Sequence, residues 1–74
     1  MFKFLTPSQR QELLDELKRE RVRRYADRIR VILLLDESKT YKQISHFLFL
    51  DEGSIANYKK RYEEGGIEGL ILDN

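Results

Sequence analysis

Ser54, Asn57, Lys60 and Arg61 combine hydrogen-bonding and cationic groups at intervals of three or four residues. On a helix, that spacing sets them along one side. An Asn or Ser in such a place can read base edges, Asn bidentately with adenine, and a Lys or Arg one turn further on can neutralise phosphate. Glu52 adds an acceptor suited to the cytosine amino group. Gly53 either lets the backbone approach a phosphate at a helix start or is a loop remnant. The candidate base contacts are therefore Glu52, Gly53, Ser54 and Asn57, and the candidate phosphate contacts are Arg24, Arg28, Tyr41, Lys42, Lys60 and Arg61.

Bond-making chemistry has little to work with. The 74 residues include no cysteine and one histidine, His46, which removes thiol nucleophiles, disulfides and thiolate metal sites and leaves no usual general base for a nucleophile. The carboxylates fall on exposed helix turns without a pocket, so no catalytic residue, metal, cofactor or small-molecule substrate is expected. Charged residues at 36% beside 41% hydrophobic ones describe a globular chain. No apolar run is long enough to span a membrane, and Met1-Phe2-Lys3-Phe4-Leu5 is too short for a secretory signal, so a cytoplasmic chain is expected.

The elements that must position the candidate residues are helices. Thr6-Pro7-Ser8-Gln9 holds an N-cap, a proline at the first helical position and the Gln of a capping box, predicting a helix over 7–19 with Leu13, Leu14 and Leu17 inward. Val22, Tyr25, Ala26, Ile29, Ile32 and Leu33 form the strongest helical period in the chain and predict a central helix over 21–37. Thr40-Tyr41-Lys42-Gln43 repeats the capping pattern before a helix over 41–48, with Ile44, Phe47 and Leu48 inward and His46 toward solvent. Asp51 can cap a fourth helix over 52–64, with Ile55, Tyr58 and Tyr62 inward, ended by Gly65-Gly66. The last residues, Ile67 to Asn74, read as an apolar strand-like tag.

The expected fold is therefore all-α, a small bundle of about four helices. Two short helices joined by about three residues after a longer one make a helix-turn-helix, homeodomain-like unit, whose second helix enters the major groove of double-stranded DNA. The domain is expected over 1–66, with 67–74 as a C-terminal tag or linker. Seven basic residues between Lys18 and Arg30 face only Glu20 and Asp27, a local concentration suited either to phosphate contacts or to a solvated helix flank. Val31, Leu34 and Leu35 point away from the main stripe and need a second cover: the Phe2/Phe4 arm, the Ile67–Leu72 tail or a second copy of the chain in a homodimer.

The order Leu5-Thr6-Pro7, the Arg-rich helix ending Ile32-Leu33-Leu34-Leu35, Gln43-Ile44-Ser45, Ser54-Ile55 and the run Tyr58-Lys59-Lys60-Arg61-Tyr62-Glu63-Glu64-Gly65-Gly66-Ile67-Glu68-Gly69-Leu70 resemble the N-terminal DNA-binding domain of mariner-superfamily bacterial insertion-sequence transposases. The resemblance implies recognition of terminal inverted repeats by Asn57 and its neighbours. The family's catalytic domain, of RNase H type, is absent from these residues, so no enzyme activity is expected. The chain departs from the family at Phe49, which stands where a turn glycine is usual; either the turn differs or burial offsets the cost of a positive φ. Asp51 and Glu52 are a second departure, two acids where such domains often have Ser and a basic or polar residue. Alternative functions are a helical protein-interaction module and a helix-turn-helix transcriptional regulator or antitoxin.

Overall fold

The computed structural model describes residues 5–72, which form α1 (Pro7–Arg19), α2 (Arg23–Asp36), α3 (Tyr41–Leu48) and α4 (Glu52–Ile71). The fold is all-α, and no β-strand occurs among the described residues. Both capping boxes form. The Thr6 hydroxyl accepts from Gln9 N–H while the Gln9 side chain accepts from Thr6 N–H, and Thr40 and Gln43 repeat the exchange at α3. These reciprocal bonds satisfy helix N–H groups that would otherwise lack partners.

The core follows the periodic positions. Leu13, Ile29, Ile32, Ile44 and Ile55 are fully buried, drawing α1, α2, α3 and α4 into one cluster with Val31, Leu33, Leu35, Tyr62 and Leu70. Two apolar positions read as inward are not. Val22 is the N-cap of α2 and exposed, because the helix begins two residues later than the period suggested, and Phe47 is 56% exposed on the outer side of α3.

A buried carboxylate ties α1 to the end of α2. Asp36 is fully buried and accepts from Leu5 N–H at 2.9 Å and from the Arg10 guanidinium at 3.1 Å, while Arg10 also reaches Glu37 at 2.6 Å. A charge buried this way depends on its partners, so losing Arg10 would remove a cationic group that compensates Asp36. The chain then leaves α2 through Ser38 at φ 71°, with Lys39 N–H on Leu34 C=O and Ser38 N–H on Leu35 C=O. Those two bonds complete a Schellman ending of α2.

The turn from α3 to α4 resolves the alternatives left open at Phe49. Phe49 adopts the left-handed conformation, φ 56° and ψ 43°, and is 87% exposed. The turn is thus the one that favours glycine, and burial does not offset its cost. Other bonds hold it: Leu50 N–H reaches Ser45 C=O at 3.3 Å, and the Ser45 hydroxyl donates to Leu50 C=O.

Residues 67–71, expected as strand-like, are helical. Gly66 takes φ 64° and ψ −152°, a region essentially restricted to glycine. The break expected at Gly65-Gly66 is therefore a sharp bend, after which a short helical segment turns back. Leu70 is fully buried in the cluster that holds Val31, and Ile67 and Ile71 pack against it. Burying a leucine contributes about 1.5–3 kcal/mol. Val31 and Leu35, on the second apolar face of α2, are thus buried within a single chain, in the cluster that Leu70 joins. Phe2 and Phe4 lie outside the described residues.

Candidate nucleic-acid interface

Asp51 sets the direction of α4. Its carboxylate accepts from Ser54 N–H at 3.3 Å and from the Ser54 hydroxyl at 2.6 Å. These bonds, the hydroxyl first and the backbone N–H next, hold the Asp51 carboxyl below the usual carboxylate range. The half-buried Ser54 hydroxyl, expected at a base, is thus engaged in the cap. The acid at this position strengthens the helix start by opposing the positive end of its dipole.

Beyond the cap, Ile55, Tyr58 and Tyr62 turn inward, Ile55 and Tyr62 fully into the core. Glu52, Gly53, Asn57 and Lys60 are exposed. Positions 53, 57 and 60 stand at i, i+4 and i+7, so the structure brings a glycine, an amide and a cation onto one face of α4. A side chain added at Gly53 would put its Cβ 3.1 Å from the Asp51 carboxylate, so glycine also leaves the cap undisturbed.

The phosphate candidates divide sharply. Lys42 and Lys60 are exposed, and Tyr41, at the start of α3, is half-buried against the core. Arg24 is exposed, with its guanidinium 4.9 Å from the Tyr25 ring centroid and Nη2 donating to the Tyr25 hydroxyl at 3.0 Å. Arg28 is corrected by the structure: it is 8% exposed, its guanidinium lying 5.1 Å from the ring centroids of both Tyr25 and Tyr58. Its Nη1 donates to the carbonyls of Leu70 at 3.3 Å and Ile71 at 3.2 Å. Two aromatic faces and the negative end of a helix compensate the buried cation, and little surface remains on it for a phosphate.

Arg61 is also turned inward on the chain. It is half-buried, Nε donates to Gly69 C=O at 2.9 Å, and Nη2 donates to Leu72 C=O. Arg28 and Arg61 together therefore satisfy the last four carbonyls of α4 and its cap, residues 69–72, which a helix C-terminus leaves without internal partners. Sequence reasoning missed this clamp. The run of glycines at 65, 66 and 69 was its only trace: a Cβ at Gly69 would stand 2.8 Å from the Arg61 carbonyl oxygen.

A groove on the outer side of α3 carries Lys42, Gln43, His46, Phe47 and Phe49. Among the described residues, no three His, Cys, Asp or Glu side chains gather where they could hold a metal ion, and no helix is long and apolar enough to cross a membrane.

A short three-residue turn between α3 and α4, both packed on α2, is the helix-turn-helix arrangement, and the family model described as winged helix-turn helix matches residues 28–73. The chain belongs to the winged helix-turn helix family. No curated protein and no solved structure gives a significant match. As a winged helix-turn helix domain it is a DNA-binding module, in which α4 is the second helix of the motif. The family match continues through the segment after Gly66, which in this member is a helical turn.

Proposed function

We propose that this winged helix-turn helix domain recognises the terminal inverted repeats of a bacterial insertion sequence, with the first half of α4 in the major groove of double-stranded DNA. The observation that carries the reading is the exposed face of α4 on which Gly53, Asn57 and Lys60 stand together. Asn57 on that face pairs with adenine, Glu52 beside it at the helix start accepts from a cytosine amino group, and Gly53 and the partly buried Ser54 allow close approach of the helix start. Lys60, Lys42, Tyr41 and Arg24 meet phosphates and fix the register.

Inverted repeats are preferred over a regulator's operator because of the resemblance through Tyr58–Leu70. The glycines of that run have physical work to do here, at the Gly66 bend and the Gly69 contact. One domain meets each recognised segment, since Val31 and Leu35 of α2 are already buried within a single chain.

The test is selection from a randomised duplex pool, then salt titration of the enriched site and a scrambled duplex. The enriched sequence is expected at both ends of an insertion element. Asn57→Ala should cost roughly 1–3 kcal/mol on that site and little on the scrambled one. Lys60→Gln should weaken both and lower the salt slope by about 1. Enrichment of promoter sequences instead would replace the transposon reading with a regulator. Absence of duplex binding at low salt would sink the DNA reading, and the exposed Phe47 on α3 and Phe49 in the turn after it then favour a protein-interaction module.

A further inference from the structure

Arg61 and Asn57 are four residues apart on α4, so Arg61 stands one turn beyond the proposed base-reading side chain and on the same side. A cation at that position is suitably placed for the phosphate backbone, yet its guanidinium is held by the carbonyls of Gly69 and Leu72. The bend at Gly66 makes this possible by turning residues 67–71 back, and the missing side chain at Gly69 lets that segment touch the Arg61 backbone. Glu64 and Glu68 border the same groove.

The two arginines of the clamp differ in availability. Arg28 is enclosed between Tyr25 and Tyr58, whereas Arg61 is half-exposed and one of its acceptors belongs to Leu72, which is 60% exposed. A carbonyl at an exposed residue can exchange a guanidinium for water. A phosphate offers the guanidinium an anionic, bidentate acceptor in place of two neutral carbonyls.

We propose that Arg61 is a shared cation, held by the C-terminal turn in the unbound domain and transferred to a DNA phosphate on docking, so that residues 67–72 act as an autoinhibitory cap on one phosphate contact. The inference rests on the DNA-binding reading and adds its regulation. Arg28 and buried Leu70 keep the turn attached while Arg61 leaves it. Because the coupling is reciprocal, DNA loosens the last turn, and anything that loosens the last turn strengthens binding to duplex of any sequence.

Amide hydrogen exchange of the full chain, with and without a saturating random-sequence duplex at low salt, tests this. Exchange at residues 70–72 is expected to accelerate several-fold on binding, while core amides at Ile29 and Ile32 do not accelerate. Arg61→Gln should show fast exchange at 70–72 already without DNA, no further change with it, and a salt slope lower by about 1. Unchanged or slower exchange at 70–72 in the bound wild type, or a full salt slope in Arg61→Gln, would show Arg61 to be a fixed cap and overturn the proposal. Absence of any duplex binding is a different result, which removes the DNA-binding reading and the cap with it.

Discussion

Replacing Phe49 by glycine should make the domain more stable, although it deletes the largest exposed side chain of the turn. Phe49 holds φ 56° and ψ 43° with 87% of its surface exposed, so little apolar burial is lost with the ring. The left-handed conformation costs a residue with a Cβ about 1–2 kcal/mol, and glycine removes that cost. Glycine also gives the unfolded chain more freedom, which takes back about 0.4–1 kcal/mol. The net gain centres on about 0.8 kcal/mol within a span of about 0–1.6, and the central value is a Tm increase of about 3–6 °C for a domain of this size. Phe49→Ala is the control, since it removes the ring and keeps the Cβ; its stability should stay within about 0.5 kcal/mol of wild type. Thermal unfolding followed by far-ultraviolet circular dichroism measures all three proteins. If Phe49→Gly melts no higher than wild type and Phe49→Ala melts clearly lower, the ring itself stabilises the fold and the account of the turn is wrong.

Ile55→Ala should cost about 2–4 kcal/mol at the fully buried junction of α3 and α4, close to the whole stability of so small a core, whereas Ile55→Val, at about 0.5–1.5 kcal/mol, should leave the domain folded in urea titration. Asp51 supplies a pH dependence of defined sign. Its folded carboxyl titrates below the unfolded one because of the Ser54 bonds, so its contribution is present above the unfolded value of about 3.9 and is lost as pH falls through the folded value. Asn is an uncharged cap of similar quality, so the Tm advantage of wild type over Asp51→Asn should disappear between about pH 5 and pH 2; a difference independent of pH contradicts the assignment.

Sequence alone determined what is local. Thr6 with Gln9, Thr40 with Gln43 and Asp51 as an N-cap mark three helix starts, because a capping bond spans only two or three residues. The stripe through Ile29 and Ile32, and the pairing of Ile44 with Ile55 in one core, follow from helical period, which needs no knowledge of distant neighbours. The exposed face of α4 carrying Asn57 and Lys60 is the complement of that period and was legible for the same reason.

The tertiary structure decided the fate of the charges and of residues 67–72. Arg24 and Arg28 are the same residue type one helical turn apart, but only Arg28 meets the carbonyls of Leu70 and Ile71, 42 and 43 residues away. Those acceptors are backbone groups, present at every position and invisible to any reading of side-chain types. Phe47 shows the same limit from the apolar side: its place in the helical period allowed it inward, and it stands 56% exposed among the described residues. The apolar run after Gly66 could bury itself as strand or helix. The place that Leu70 fills in the core, together with two guanidinium groups positioned to receive the carbonyls of a helix C-terminus, selected the helical turn.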